Sequence, residues 1–180
     1  MYGIGLPELI VIGTVIGFLF FFVNLLYKIN EKIHTGYKYW QFWIPVYNFA
    51  LILDMGGQKK IYAYLPLIVG LILILFLQED ATSQTLILLK LTVLISGVVS
   101  YFMICRAWAN IAEKLGKNKN KYFIMFLFAF LLLSIKDFLF VLEVSNFKDF
   151  FSLLTFGGTG FIFFLIWKLA NSKVPAKNNR

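Results

Sequence analysis

Residues 37–48 read Tyr37-Lys38-Tyr39-Trp40-Gln41-Phe42-Trp43-Ile44-Pro45-Val46-Tyr47-Asn48, and whether this stretch crosses a bilayer or turns back decides the architecture. Trp and Tyr settle at headgroup depth because each ring is apolar at one end and hydrogen-bonds at the other. Pro45 lacks a backbone donor and biases Ile44 away from the helical region, so a bend is predicted here. Non-helical backbone at membrane depth persists only where protein or water satisfies it, and Asn48 is placed to supply one such bond. Two readings follow. Either Trp40, Trp43, Pro45, Tyr47 and Asn48 form an interfacial or re-entrant element that lines a cavity for a lipid headgroup or a partner, or the aromatics merely anchor the helix that follows.

The rest of the chain supplies the bilayer. Of its 180 residues, 60% are hydrophobic and 14% charged, against about 25% charged in a soluble domain. The aromatic share is carried mostly by 21 Phe, too much apolar surface for a small water-exposed body to hide. An α-helix needs about 20 mostly apolar residues to cross the hydrocarbon. Five segments meet or approach that length, at 7–27, 61–77, 86–108, 122–144 and 150–167. The first has no Lys or Arg before Lys28, and its apolar stretch from Leu9 to Leu26 lacks a small-x-small cleavage site, so a retained span is predicted rather than a signal peptide. A sixth apolar stretch, 39–55, contains the aromatic segment.

Cytoplasmic loops collect Lys and Arg, and this settles how the sixth stretch is read. Lys28, Lys32 and Lys38 precede it, and Lys59 and Lys60 follow it. If it dips in and returns, both clusters stay on one side; if it crosses, one is stranded outside. With the first choice, of the 17 basic residues only Lys90, Lys136 and Lys148 lie on or toward the outer side. The loop with Glu79 and Asp80 is then outside, and the lysine-rich loop 113–121 and the tail are inside. The predicted fold is therefore all-α: a polytopic transmembrane helical bundle of about five spans plus one interfacial or re-entrant segment. It forms a single domain over 1–170, with a short basic tail at 171–180, the N-terminus outside and the C-terminus cytoplasmic.

Few polar groups remain to carry function. Arg106, Asn110 and Glu113, spaced by four and three, share one face near the cytoplasmic end of the third span. They can bind an anionic headgroup, dock against the aromatic element, or simply mark a helix leaving the bilayer with Arg106 snorkelling. Lys136 and Asp137 sit in the outer half of the fourth span, where charges are costly and normally paired. Lys90, entering the third span from the same side, is the predicted ion-pair partner of Asp137; a proton or ion pathway is the sharper alternative. Gly13-Thr14-Val15-Ile16-Gly17 permits close helix approach, either inside the chain, which is the expectation, or between two copies through Gly13 and Gly17. Gly157-Gly158-Thr159-Gly160 allows the same approach and has no phosphate-loop lysine.

Cys105 has no partner for a disulfide, and the single His34 leaves no multi-histidine metal site. Ser134 and Lys136, two apart on a helix, face different directions and make no catalytic dyad. No catalytic residue, cofactor or metal is predicted. The net charge of +8 sits in short clusters between apolar runs, which fits membrane topology rather than nucleic-acid binding.

The residues Trp40-x-x-Trp43-Ile44-Pro45-Val46-Tyr47-Asn48, then Gly56-Gly57, then a span and Ala112-Glu113-Lys114-Leu115-Gly116-Lys117, resemble an uncharacterised family of small prokaryotic multi-span membrane proteins. Its members share a Trp-rich I-P-x-Y-N signature, and in some relatives the domain is fused to a signal peptidase. The similarity covers about residues 37–135. The chain departs from the pattern at Gln58-Lys59-Lys60-Ile61, where aromatics are usual, and in the region from Lys136 onward. The resemblance implies a prokaryotic plasma-membrane location and no activity to carry over. The expected role is non-enzymatic: binding of a partner protein or of membrane lipid, including anionic headgroups, through the aromatic element and basic loops. The alternative is a small transporter or channel subunit built on the intramembrane charges and the broken segment.

Overall fold

The computed structural model describes residues 5–76, 83–141 and 148–173. The described chain is all-helical: α1 (Leu6–Ile33), a 3-10 turn (Tyr39–Trp43), α2 (Pro45–Met55), α3 (Ile61–Phe76), α4 (Ser83–Lys114), α5 (Lys119–Val141) and α6 (Lys148–Ala170). The all-α expectation holds. Among the described residues, α1 and α4 are long and apolar enough to cross a membrane, while α3 and α6 contain shorter apolar stretches, Ile61–Ile72 and Leu154–Ala170.

Local chemistry sets the boundaries. Pro7 lies in the first turn of α1, where its missing N–H costs nothing. That helix ends at His34, in the left-handed region at φ 55°, whose amide donates back to the Asn30 and Glu31 carbonyls. Pro45 occupies the first turn of α2, and Ile44 before it is extended (φ −85°, ψ 110°), as a pre-proline residue should be. The α4–α5 turn closes with Gly116 at φ 74°, the Lys117 amide donating to the Ala112 carbonyl at 2.8 Å. Asn118 then caps α5, its Oδ1 accepting from the Lys121 amide at 3.0 Å.

Helix neighbours run α3, α4, α5, α6, α1, and the 3-10 turn with α2 closes the ring by touching α1 on one side and α3 and α4 on the other. The core gathers at one end of this ring. Val23, Leu26 and Ile29 of α1, Leu51 to Leu53 of α2, Ile104 to Leu115 along α4, Phe126 of α5 and Leu165 and Leu169 of α6 contribute to it. Trp108 and Phe126 stack there with ring centroids 5.2 Å apart. Gly158 lets α6 approach α5 closely, since a Cβ on it would meet the Ala129 carbonyl oxygen and Leu132 Cβ at 3.0 Å.

Every residue of α1 from Leu9 to Phe21 is exposed, and on α6 Phe156 is 79% exposed. An apolar helix exposed over this length lacks the polar face that the amphipathic helix of a water-soluble bundle shows to solvent.

Candidate functional site

The aromatic segment folds as a hairpin that climbs α1 and returns along α4. Its base is set by Asn30, buried in α1. The Asn30 Nδ2 donates to the Tyr37 carbonyl at 2.9 Å, and its Oδ1 accepts from the Tyr37 amide at 3.3 Å and from the Thr35 hydroxyl. One turn up, Tyr39 meets Tyr27 edge-on at 5.2 Å, and its hydroxyl donates to Asn24 Oδ1 at 3.2 Å. Higher still, Trp43 reaches Phe20, centroids 5.9 Å apart. From Asn30 to Phe20 the chain has climbed about 15 Å, at 1.5 Å per residue. The 3-10 turn is held from below by Gln41, whose Oε1 accepts from the Lys38 amide at 2.8 Å.

At Pro45 the chain reverses, and α2 descends to α4. Gly56 makes the landing possible: a Cβ there would lie 2.4 Å from Ala107 Cα, a distance only glycine tolerates. Asn110 Nδ2 donates to the Gly56 carbonyl at 2.6 Å, and Lys114 Nζ to the Met55 carbonyl at 2.6 Å. These carbonyls end α2 and lack intrahelical partners, so α4 caps α2 with side chains. The exit closes on the entrance. Lys60 Nζ sits 5.4 Å from the centroid of the Tyr37 ring and 3.4 Å from Asp54 Oδ2.

The predicted element residues take different roles within this hairpin. Phe42 is fully buried and wedges it against the core, while Trp40 (58% exposed), Trp43, Ile44 and Pro45 face outward. Tyr47 is half-buried. Asn48 is buried at 7% exposure and its Oδ1 has no partner; its amide donates to Ile44 in the ordinary helical way. The backbone support expected of Asn48 comes from Asn30, Gln41 and Asn110 instead.

The predicted polar face of α4 splits. Asn110 turns inward onto the end of α2, at the far end of the hairpin from the aromatics. Arg106 and Glu113 are exposed, and Glu113 pairs with Lys119 at 2.9 Å. Lys90 and Asp137 lie where side chains are outside the described residues, and so does Lys136. Gly13 and Gly17 would meet nothing within 4 Å if given a Cβ, so among the described residues no helix packs on that face, unlike the intramolecular packing expected of them.

Sequence reasoning passed over Asn30, Asn24 and Lys114. The signal for the first two was an amide side chain interrupting an otherwise apolar, helix-forming stretch. No protein-family model, curated protein or solved structure matches the chain.

Proposed function

We propose that the chain is a five-span membrane protein, N-terminus outside and C-terminus cytoplasmic, in which the segment from Tyr37 to Lys60 is a re-entrant hairpin. It acts without chemistry of its own, presenting the outward face of that hairpin and its basic loops to a membrane partner or to lipid. The observation that carries this is Lys60 over Tyr37: two basic stretches flanking an apolar segment adjoin, which a segment crossing about 30 Å of hydrocarbon does not allow. A climb of about 15 Å is half that thickness. The aromatic signature and the Gly56 turn are also the grounds for proposing kinship with the Trp-rich, I-P-x-Y-N family and with it a prokaryotic plasma-membrane location.

Single cysteines at Lys38 and Lys59, in a Cys105→Ala background, test the topology. Both label from the cytoplasmic face of inverted vesicles, and neither from outside. Labelling from opposite faces sinks the hairpin and the sidedness with it. The binding role is tested by affinity capture from detergent, where Trp40→Ala with Trp43→Ala releases what the intact protein retains.

One observation favours the second reading, a small transporter or channel subunit. The first turn of α2 carries Asn48 with a buried, unpartnered acceptor, and interrupted helices are where transporters hold their substrates. Proteoliposome flux abolished by Asn48→Leu or Asp137→Asn would carry that reading over the first.

A further inference from the structure

Where the C-terminal ends of α1 and α6 meet, a cleft of about 470 Å³ opens between Lys28, Glu31, Lys32, Ala170 and Asn171. Lys28 and Lys32 are one helical turn apart and share a face. Lys28 is also the first basic residue after the apolar run of α1. Lys32 is half-buried and ties the two helices together, its Nζ donating to the Ser172 carbonyl beyond the end of α6 at 2.5 Å.

The lining of the cleft is net positive, two lysines against one carboxylate. Among the described residues the ion pairs are Asp54 with Lys60 and Glu113 with Lys119. Glu31 borders the cleft yet lies beyond ion-pair distance of both Lys28 and Lys32. Lys32, past the apolar run, has its pKa pushed below the ordinary lysine value, by burial first and then by Lys28 and Lys117. Lys32 therefore feels two further ammonium groups, with Glu31 at the border of the cleft but not paired to it, and an anion placed there relieves the repulsion.

The surface of α6 next to the cleft distinguishes a lipid from a soluble anion. Trp167 lies four residues before Asn171 on α6, hence on the same face one turn deeper, and its backbone oxygen accepts from Asn171 Nδ2 at 3.0 Å. The Trp167 ring is exposed and stacks on exposed Phe164 at 6.3 Å. The exposed Trp167 and Phe164 rings lie one to two turns along α6 from the cleft residue Asn171, with Lys168 Nζ 6.0 Å from the Phe164 centroid, and exposed rings beside lysines suit an acyl chain beneath a charged headgroup.

We propose that this cleft seats the phosphate of an anionic phospholipid, with Lys28 and Lys32 as its cationic partners and Trp167 and Phe164 under the acyl chain. The assignment rests on reading α1 as a span, which puts Lys28 at the height of lipid phosphates.

The test is native mass spectrometry of the full chain released from detergent, titrated separately with phosphatidylglycerol, phosphatidylcholine and inorganic phosphate. The wild type retains phosphatidylglycerol over phosphatidylcholine by about fivefold or more. Lys28→Gln lowers phosphatidylglycerol retention about fivefold, the effect of one lysine at a membrane surface. Lys28→Arg restores it, and Glu31→Gln strengthens it. Unchanged helicity by circular dichroism excludes misfolding as the cause. Equal retention of the two lipids, or a preference that survives Lys28→Gln, overturns the seat. Saturable inorganic phosphate binding without lipid preference assigns it to a soluble anion and overturns the lipid. All these results are independent of the labelling at positions 38 and 59, so the seat can fail while the topology stands.

Discussion

The two halves of α1 belong to one continuous helix and are opposite in surroundings. From Val23 to Asn30 the helix buries Val23, Leu25, Leu26 and Ile29, and Asn30 organises the hairpin. From Leu9 to Phe21 it buries nothing, although ten large apolar side chains lie there. At 45–61% exposure those ten forgo about half of the roughly 1.5–3 kcal/mol that full burial brings each, together about 8–15 kcal/mol. That is comparable with the 5–15 kcal/mol that holds a typical domain together. The difference teaches that protein packing specifies one end of this bundle and leaves apolar surface open at the other. It is the physical ground for the membrane reading proposed above.

The contrast between packed and bare regions can be broken by substitution. Phe126→Ala removes the ring stacked on Trp108 inside the packed end and should cost about 3–5 kcal/mol in detergent unfolding. A cost below about 1 kcal/mol would mean the packed end is not well packed. In the bare half, Ile16→Asp touches no neighbour, yet places a charge mid-shaft. It should oppose membrane insertion by about 2.5–3.5 kcal/mol, read from a glycosylation-reporter insertion assay, while leaving detergent stability unchanged. Unimpaired insertion would argue that the bare half is covered by protein.

Glycines sharpen the same comparison. Gly56→Leu drives a side chain into the backbone of Ala107 and should destabilise by about 1–3 kcal/mol or more. Gly17→Leu meets open space and should change monomer stability by less than about 0.5 kcal/mol. A loss of dimer in Gly17→Leu, measured by light scattering, would show that a second copy covers that face. The smallest effect is expected at the mouth of the hairpin. Lys60→Gln removes an exposed ion pair and a cation–π contact, together worth less than about 1 kcal/mol, and should loosen the hairpin enough to speed labelling at position 59.

How much of this was legible follows from what each feature depends on. The helices were readable because long apolar runs have few alternatives, and the break at Pro45 because proline constrains its own neighbourhood. Asn110 was readable as part of a polar face able to dock against the aromatic element, since residues spaced by four and three share one side of a helix. Its partner was not, because the Gly56 carbonyl is 54 residues away and any exposed helix end would have served. Asn30 escaped notice for a related reason: its bonds go to Thr35 and Tyr37 across a loop whose path is set by the left-handed turn at His34. The separation of Arg106 and Glu113 from Asn110 reflects α2 landing on one edge of the face and not on its centre. Lys90 with Asp137 stays a sequence expectation.

The capping of α2 by α4 also imposes a timetable on biogenesis. The carbonyls of Met55 and Gly56 emerge from the ribosome before the Asn110 and Lys114 groups that bond them. At roughly 5–20 residues per second, the 54 residues between Gly56 and Asn110 take roughly 3–11 s to synthesise. For that interval the nascent hairpin has only α1 and then α3 to pack on, and the last carbonyls of its descending arm go without their side-chain caps until α4 arrives.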